Sequence, residues 1–168
     1  FIGRARVVPL RNMGAAISPF NVFLILQGLE TLPLRMDRIC ENTTKVAHFL
    51  QSHAKVSWVN YAGLPDHKDY PLVQKYMGGK ASGILTFGVK GGLAAGGRFQ
   101  DALKLFTRLV NIGDAKSLAC HPASTTHRQL SPAELAKAGV SEDMIRLSIG
   151  IEHIDDLIQD LDQALSAA

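Results

Sequence analysis

The chain has 168 residues, 46% of them apolar and 20% charged, with a formal net charge of +3. A chain of that length forms one domain with a core large enough to need no staples, and the composition excludes intrinsic disorder. Basic residues are scattered and interrupted by acids rather than gathered on one face with aromatic stacking partners, so a nucleic-acid surface is not expected.

The longest clean apolar run, Val22 to Leu26, is far short of the roughly 18 residues that span a bilayer, so no membrane segment is expected. Residues 1–17 hold Arg4, Arg6 and Arg11 with no acid, plus Gly3, Pro9 and Gly14, and read as a basic connector. The chain opens on Phe1 rather than Met and is expected to be a piece of a longer protein. Cys40 and Cys120 form no CxxC pair, which suggests reduced thiols in a cytoplasmic protein.

Ser18-Pro19 is a helix start, because Ser is a good N-cap and Pro at the first helical position loses no useful hydrogen bond. Pro33 breaks the region into two helices. In the second, Met36, Ile39, Thr43, Val46 and Leu50 recur at three- and four-residue steps. Val56–Tyr61 reads as a strand, Gly63-Leu64-Pro65-Asp66 as a turn and Tyr70–Met77 as a short helix. Gly83–Val89 is the next strand, and Phe99–Val110 carries an amphipathic helical stripe. Lys116–His121 and Met144–Ile149 complete four strands, with a capping box at Ser131–Glu134 between them. Ile154, Leu157, Ile158, Leu161 and Leu165 form the stripe of a C-terminal helix. The expected fold is α+β, a small mostly antiparallel sheet with helices on one face.

Three constellations have chemical potential. The glycine run Gly88–Gly97 lies between a strand and a helix, but its spacing matches neither G-x-G-x-x-G nor a Lys-Ser/Thr phosphate loop, so a flexible turn is expected. Cys120, His121 and His127 match no metal-ligand spacing, and no metal is expected. On the last strand Ile145, Leu147 and Ile149 share a face, so Arg146 and Ser148 point the other way. Most strand arginines are solvated surface groups. A ligand-binding one is suited to a carboxylate, because its planar fork gives two parallel charged hydrogen bonds.

Several blocks resemble, in order, the C-terminal half of the Cys/Met-metabolism family of pyridoxal-phosphate enzymes. They are Ala16–Asn21 continuing through Gln27–Met36, Asn111–Leu118, His121–His127 and Ile145–Glu152. The runs Gly113–Leu118 and Ser124–Leu130 are most similar to the O-acetylhomoserine sulfhydrylase branch. Cys40 and Asn12 depart from the family's usual histidine and acid.

The resemblance implies the small domain of a fold-type-I enzyme. Residues 1–17 would connect it to a large N-terminal domain holding pyridoxal 5'-phosphate and the Schiff-base lysine, and residues 18–168 would form the small domain itself. It implies that Arg146 grips the substrate α-carboxylate with Ser117 beside it, that no catalytic lysine lies in this chain, and that the isolated chain is inactive. The parent would be a homodimer or homotetramer replacing the acyl group of an O-acylhomoserine with sulfide or a thiol. A γ-lyase or γ-synthase domain, or a non-catalytic ligand- or protein-binding module, are the alternatives.

Overall fold

The computed structural model describes residues 1–168, which divide into two compact units, Phe1–Leu34 and Arg35–Ala168. In the first unit, α1 (Ile2–Ala5), a π-helical turn (Arg6–Leu10) and α2 (Arg11–Met13) follow one another without a break, so this basic stretch is helical. Gly14 ends it in the left-handed conformation. Helix α3 (Pro19–Glu30) starts as expected: the Ser18 hydroxyl accepts the Asn21 N–H at 3.2 Å with Pro19 at the first position. Phe20, Phe23, Leu24, Ile25, Leu26 and Leu29 each expose more than half of their surface within this unit.

Thr31 separates α3 from α4 (Leu32–Ser52), which has Pro33 in its first turn. The stripe of α4 is buried from Ile39 through Leu50. The remaining elements run β1 (Val56–Asn60), α5 (Tyr70–Met77), β2 (Ile84–Val89), α6 (Gly92–Ala102), β3 (Thr107–Arg108), β4 (Leu118–Cys120), α7 (Pro132–Lys137), β5 (Met144–Ser148) and α8 (Ile154–Ser166). Both halves of the capping box are present at α7: Ser131 accepts from the Glu134 N–H, and the Glu134 carboxylate accepts from the Ser131 N–H. These charge-assisted bonds from Ser131 hold the Glu134 carboxyl below its usual range.

The sheet order is β1-β2-β5-β4-β3. The α+β class stands, but the sheet is five-stranded and mixed: β1–β2, β2–β5 and β5–β4 are antiparallel, whereas β4–β3 is parallel. One face carries the core. Leu85, Phe87, Ala119, Ile145 and Leu147 pack there with Val46 and Leu50 of α4, Ala95 and Phe99 of α6, and Leu157, Leu161 and Leu165 of α8. Phe87 and Phe99 meet edge to face at 5.6 Å, a favoured aromatic geometry.

The extra strand has a clear origin. The stripe at Phe99–Val110 predicts one helix, but α6 begins earlier, inside the glycine run, and ends at Ala102. Asp160 of α8 stops it. Its Oδ1 accepts the N–H of Lys104 at 2.9 Å, and its Oδ2 accepts those of Leu105 at 2.8 Å and Phe106 at 3.1 Å. Gln163, one turn further along α8, donates to the Ala102 carbonyl at 2.8 Å. Three backbone donors drawn onto one buried carboxylate cannot continue a helix, so the chain extends and Thr107–Arg108 pairs alongside β4.

Asp160→Ala leaves those donors without their acceptor, the Phe106 N–H in a buried setting, and is expected to lower the unfolding free energy by about 2 kcal/mol, with Asp160→Asn intermediate. Urea denaturation that follows the loss of tertiary structure measures it as a lower midpoint at unchanged slope.

Candidate functional site

The face of the sheet opposite the core carries a row of polar side chains. Asn60, Thr86, Arg146 and Cys120 are consecutive register partners across β1, β2, β5 and β4. Alternation puts Arg146 in this row, because Ile145, Leu147 and Ile149 are all fully buried on the core side.

Most of the row is already satisfied by its neighbours. The Asp69 N–H donates to His67 Nδ1, which leaves the His67 Nε2 hydrogen for Asn60 Oδ1 at 2.9 Å. Asn60 in turn donates from Nδ2 to Thr86 Oγ1 at 3.4 Å. Cys120 Sγ lies 3.3 Å from Thr125 Oγ1.

Arg146 is the exception. One Nη2 donates to the Asn111 carbonyl at 3.4 Å, and no carboxylate of the chain pairs with the guanidinium. A guanidinium has five donors, so most of its fork is left for a ligand. Asn111 is a residue that sequence reasoning missed. Its contribution is a backbone carbonyl, which no residue type signals.

Ser117 is fully buried and has other partners. Its hydroxyl donates to Glu152 Oε2 at 2.9 Å and accepts the Gly150 N–H at 2.8 Å, while its own N–H donates to Glu152 Oε1 at 2.6 Å. The single hydroxyl hydrogen is therefore committed to Glu152. By the pleat, Ser117 is in phase with Ala119 and Leu147, on the face away from Arg146. The structure thus places Arg146 beside Asn111 and Ser117 beside Glu152. Ser148, on Arg146's own face, is buried with its hydroxyl unpartnered.

The other constellations are spent on structure. Helix α6 begins at Gly92 after Gly91 in a left-handed conformation, and a Cβ at Gly96 would sit 2.6 Å from His121 Nε2. Much of the glycine run, expected to be a flexible turn, is therefore helical, and Gly96 serves close packing rather than a phosphate cradle. His121 uses both ring nitrogens, Nδ1 with Ser124 Oγ and Nε2 with the Glu142 carbonyl, each at 2.8 Å. His127 Nδ1 engages Thr126 Oγ1. The glycine run and these histidines are thus engaged within the chain, and the guanidinium of Arg146 keeps most of its donors.

Residues 4–166 match the Cys/Met metabolism PLP-dependent enzyme family, and the chain belongs to that family. It is 52% identical over 166 residues to O-acetyl-L-homoserine sulfhydrylase 1 of Thermus thermophilus, covering 99% of this chain and 39% of that protein. It is also 45% identical to the L-methionine gamma-lyase of Pseudomonas putida, over 99% of this chain and 42% of the relative. A crystal structure of an O-acetylhomoserine (thiol)-lyase from Campylobacter jejuni superposes with a TM-score of 0.88 at 47% identity, covering 97% of this chain and 39% of that one. That structure carries a pyridoxyl-lysine, in the part of the protein outside the match. The chain spans about two fifths of the length of the relatives it matches.

Burial raises the pKa of the Cys40 thiol, partly opposed by Lys80 nearby, and both cysteines are buried and unpaired. Thiolate is the reactive form, so native Cys40 is expected to resist iodoacetamide at neutral pH and to react only after unfolding. Peptide mass mapping of native and denatured samples checks this, and rapid native alkylation at Cys40 would contradict it.

Proposed function

We propose that this chain is the substrate-carboxylate-binding C-terminal part of a pyridoxal-phosphate-dependent O-acetylhomoserine sulfhydrylase. The observation that carries the reading is the unpaired guanidinium of Arg146 on the open face of a central strand. A charged fork held at one corner by the Asn111 carbonyl is suited to two parallel hydrogen bonds from a carboxylate. The sulfhydrylase branch is favoured by the likeness to the Thermus thermophilus relative.

In this reading the chain's contribution is orientation. Arg146 would fix the α-carboxylate, and with it the angle at which the substrate's carbon skeleton meets the cofactor. The cofactor, when bound, supplies an electron sink. The C–O bond to the acetyl group at the γ carbon is then replaced by a C–S bond from sulfide, releasing acetate. Ser117 enters through the loop it anchors, behind Arg146 rather than against the substrate.

A large N-terminal domain with the cofactor lysine, a homodimeric or homotetrameric assembly and a cytoplasmic location complete the proposal. The apolar surface of α3 supports a larger body around it, because a helix apolar all round is normally buried. The isolated chain should show neither sulfhydrylase activity nor a stoichiometric cofactor–lysine absorption band. A band lost on mutating one of its lysines would contradict this and favour a self-sufficient binding module. The gamma-lyase relative motivates a second reading, in which the parent eliminates rather than replaces. Rates with O-acetylhomoserine plus sulfide against those with methionine or cystathionine separate the two, faster elimination favouring the lyase.

In the full-length enzyme, losing one partner of a desolvated guanidinium–carboxylate pair typically costs about 2–5 kcal/mol. Arg146→Ala is therefore expected to lower kcat/KM by roughly 30- to several-thousand-fold. Arg146→Lys should recover little, since an ammonium cannot reproduce the fork. Turnover by Arg146→Ala within about threefold of wild type would make Arg146 an ordinary surface residue.

A further inference from the structure

The loop that supplies the Asn111 carbonyl to Arg146 is short and tightly fastened. At its start the Asn111 Oδ1 accepts the Ile112 N–H at 2.9 Å, Gly113 turns with a φ of 74°, and the Asp114 Oδ1 accepts the Lys116 N–H at 3.0 Å. At its end the loop is stitched to the residues just beyond β5. Ile151 donates its N–H to the Ala115 carbonyl at 3.0 Å, and Gly150 donates its N–H to Ser117 Oγ at 2.8 Å.

Both oxygens of Glu152 then take Ser117, one the N–H at 2.6 Å and the other the hydroxyl at 2.9 Å. From the other side Asn42 of α4, itself buried, donates Nδ2 to the carbonyls of Gly150 at 3.1 Å and Glu152 at 2.9 Å. The approach is too close for any side chain at position 150, where a Cβ would lie 2.3 Å from the Ala115 carbonyl oxygen.

This arrangement joins two places that both bear on Arg146. Strand β5 carries the guanidinium, and the 111–117 loop carries the carbonyl that holds one corner of it. Glu152 sits six residues after Arg146 and closes the circuit between them. A bond to a carboxylate is stronger than one to a neutral acceptor, and Glu152 makes two of them to one residue, so it is the main fastening rather than an incidental one.

We propose that Glu152 is a positioning residue for substrate binding: by clamping Ser117 it fixes the 111–117 loop, so that the Asn111 carbonyl holds the Arg146 guanidinium in the orientation a carboxylate needs. The inference rests on the reading of Arg146 given above. It assigns Ser117 and Glu152 a role that acts through Arg146 without touching substrate.

The test is a two-by-two comparison in the full-length protein, with Glu152→Ala made alone and on an Arg146→Gln background. Steady-state kinetics use O-acetylhomoserine and sulfide, and the affinity for glycine, an unreactive amino acid with the same carboxylate, is read by calorimetry. Glu152→Ala alone should raise KM and the glycine Kd about tenfold while kcat stays within about threefold, because a displaced guanidinium loses ground-state binding first. On the Arg146→Gln background it should add nothing, since the effect travels through Arg146.

An equal factor on both backgrounds would show a merely structural role and overturn the inference. So would an unchanged KM for Glu152→Ala while Arg146→Gln raises it, and the carboxylate reading would survive. If Arg146→Gln itself leaves KM and the glycine Kd unchanged, that reading fails and takes this inference with it. Should Glu152→Ala not fold, Ser117→Ala, which keeps its N–H to Glu152, decides by the same comparison, with about a threefold rise expected on the Arg146 background only.

Discussion

Side chains alternate along a strand, and β5 lies in the middle of the sheet with Ile145, Leu147 and Ile149 fully buried. That burial consumes one whole face. Helices α4, α6 and α8 pack against it, and a shift of register by one residue would drive a guanidinium into the core of leucines and phenylalanines. The position of Arg146 on the open face is therefore enforced by hydrophobic burial behind it. The site inherits its precision from the core, since each neighbouring strand aligns its own polar residue with Arg146 by backbone pairing.

Where the chain leaves regular structure, two carboxylates decide the path. Asp160 gathers the N–H groups of three consecutive residues and ends α6, which frees Thr107–Arg108 to join the sheet. Glu152 does the equivalent for the loop before β4, with Gly150 allowing the close approach. In both cases backbone donors without a helix or sheet partner find a charged acceptor from a distant part of the chain, as buried backbone groups require.

The same physics keeps His121 and Cys40 out of chemistry. His121 is fixed by two hydrogen bonds and packed against Gly96, so it braces α6 against the segment between α7 and β5. Cys40 is shielded on α4 in a setting that disfavours thiolate. These are residue types associated with reactivity, held in surroundings that remove it.

The sequence by itself determined what depends on neighbours a few residues away. Caps at Ser18 and Ser131, the break near Pro33, the stripe of α8 and the alternation of β5 are all local signals, and the elements they mark form where expected. The chain's order of blocks, compared with its family, also sufficed to place it there. What tertiary structure alone decided is everything governed by partners far along the chain. The hydrophobic stripe through Phe99–Val110 is a sound helical signal, yet Asp160, more than fifty residues later, outcompetes the helix for the donors at 104–106. The parallel pairing of β3, the commitment of Ser117 to Glu152 and the placement of the Asn111 carbonyl beside Arg146 belong to the same class. Hydrogen bonds between groups brought together only by folding leave no periodic trace in the sequence, because backbone donors and carbonyls are the same at every residue.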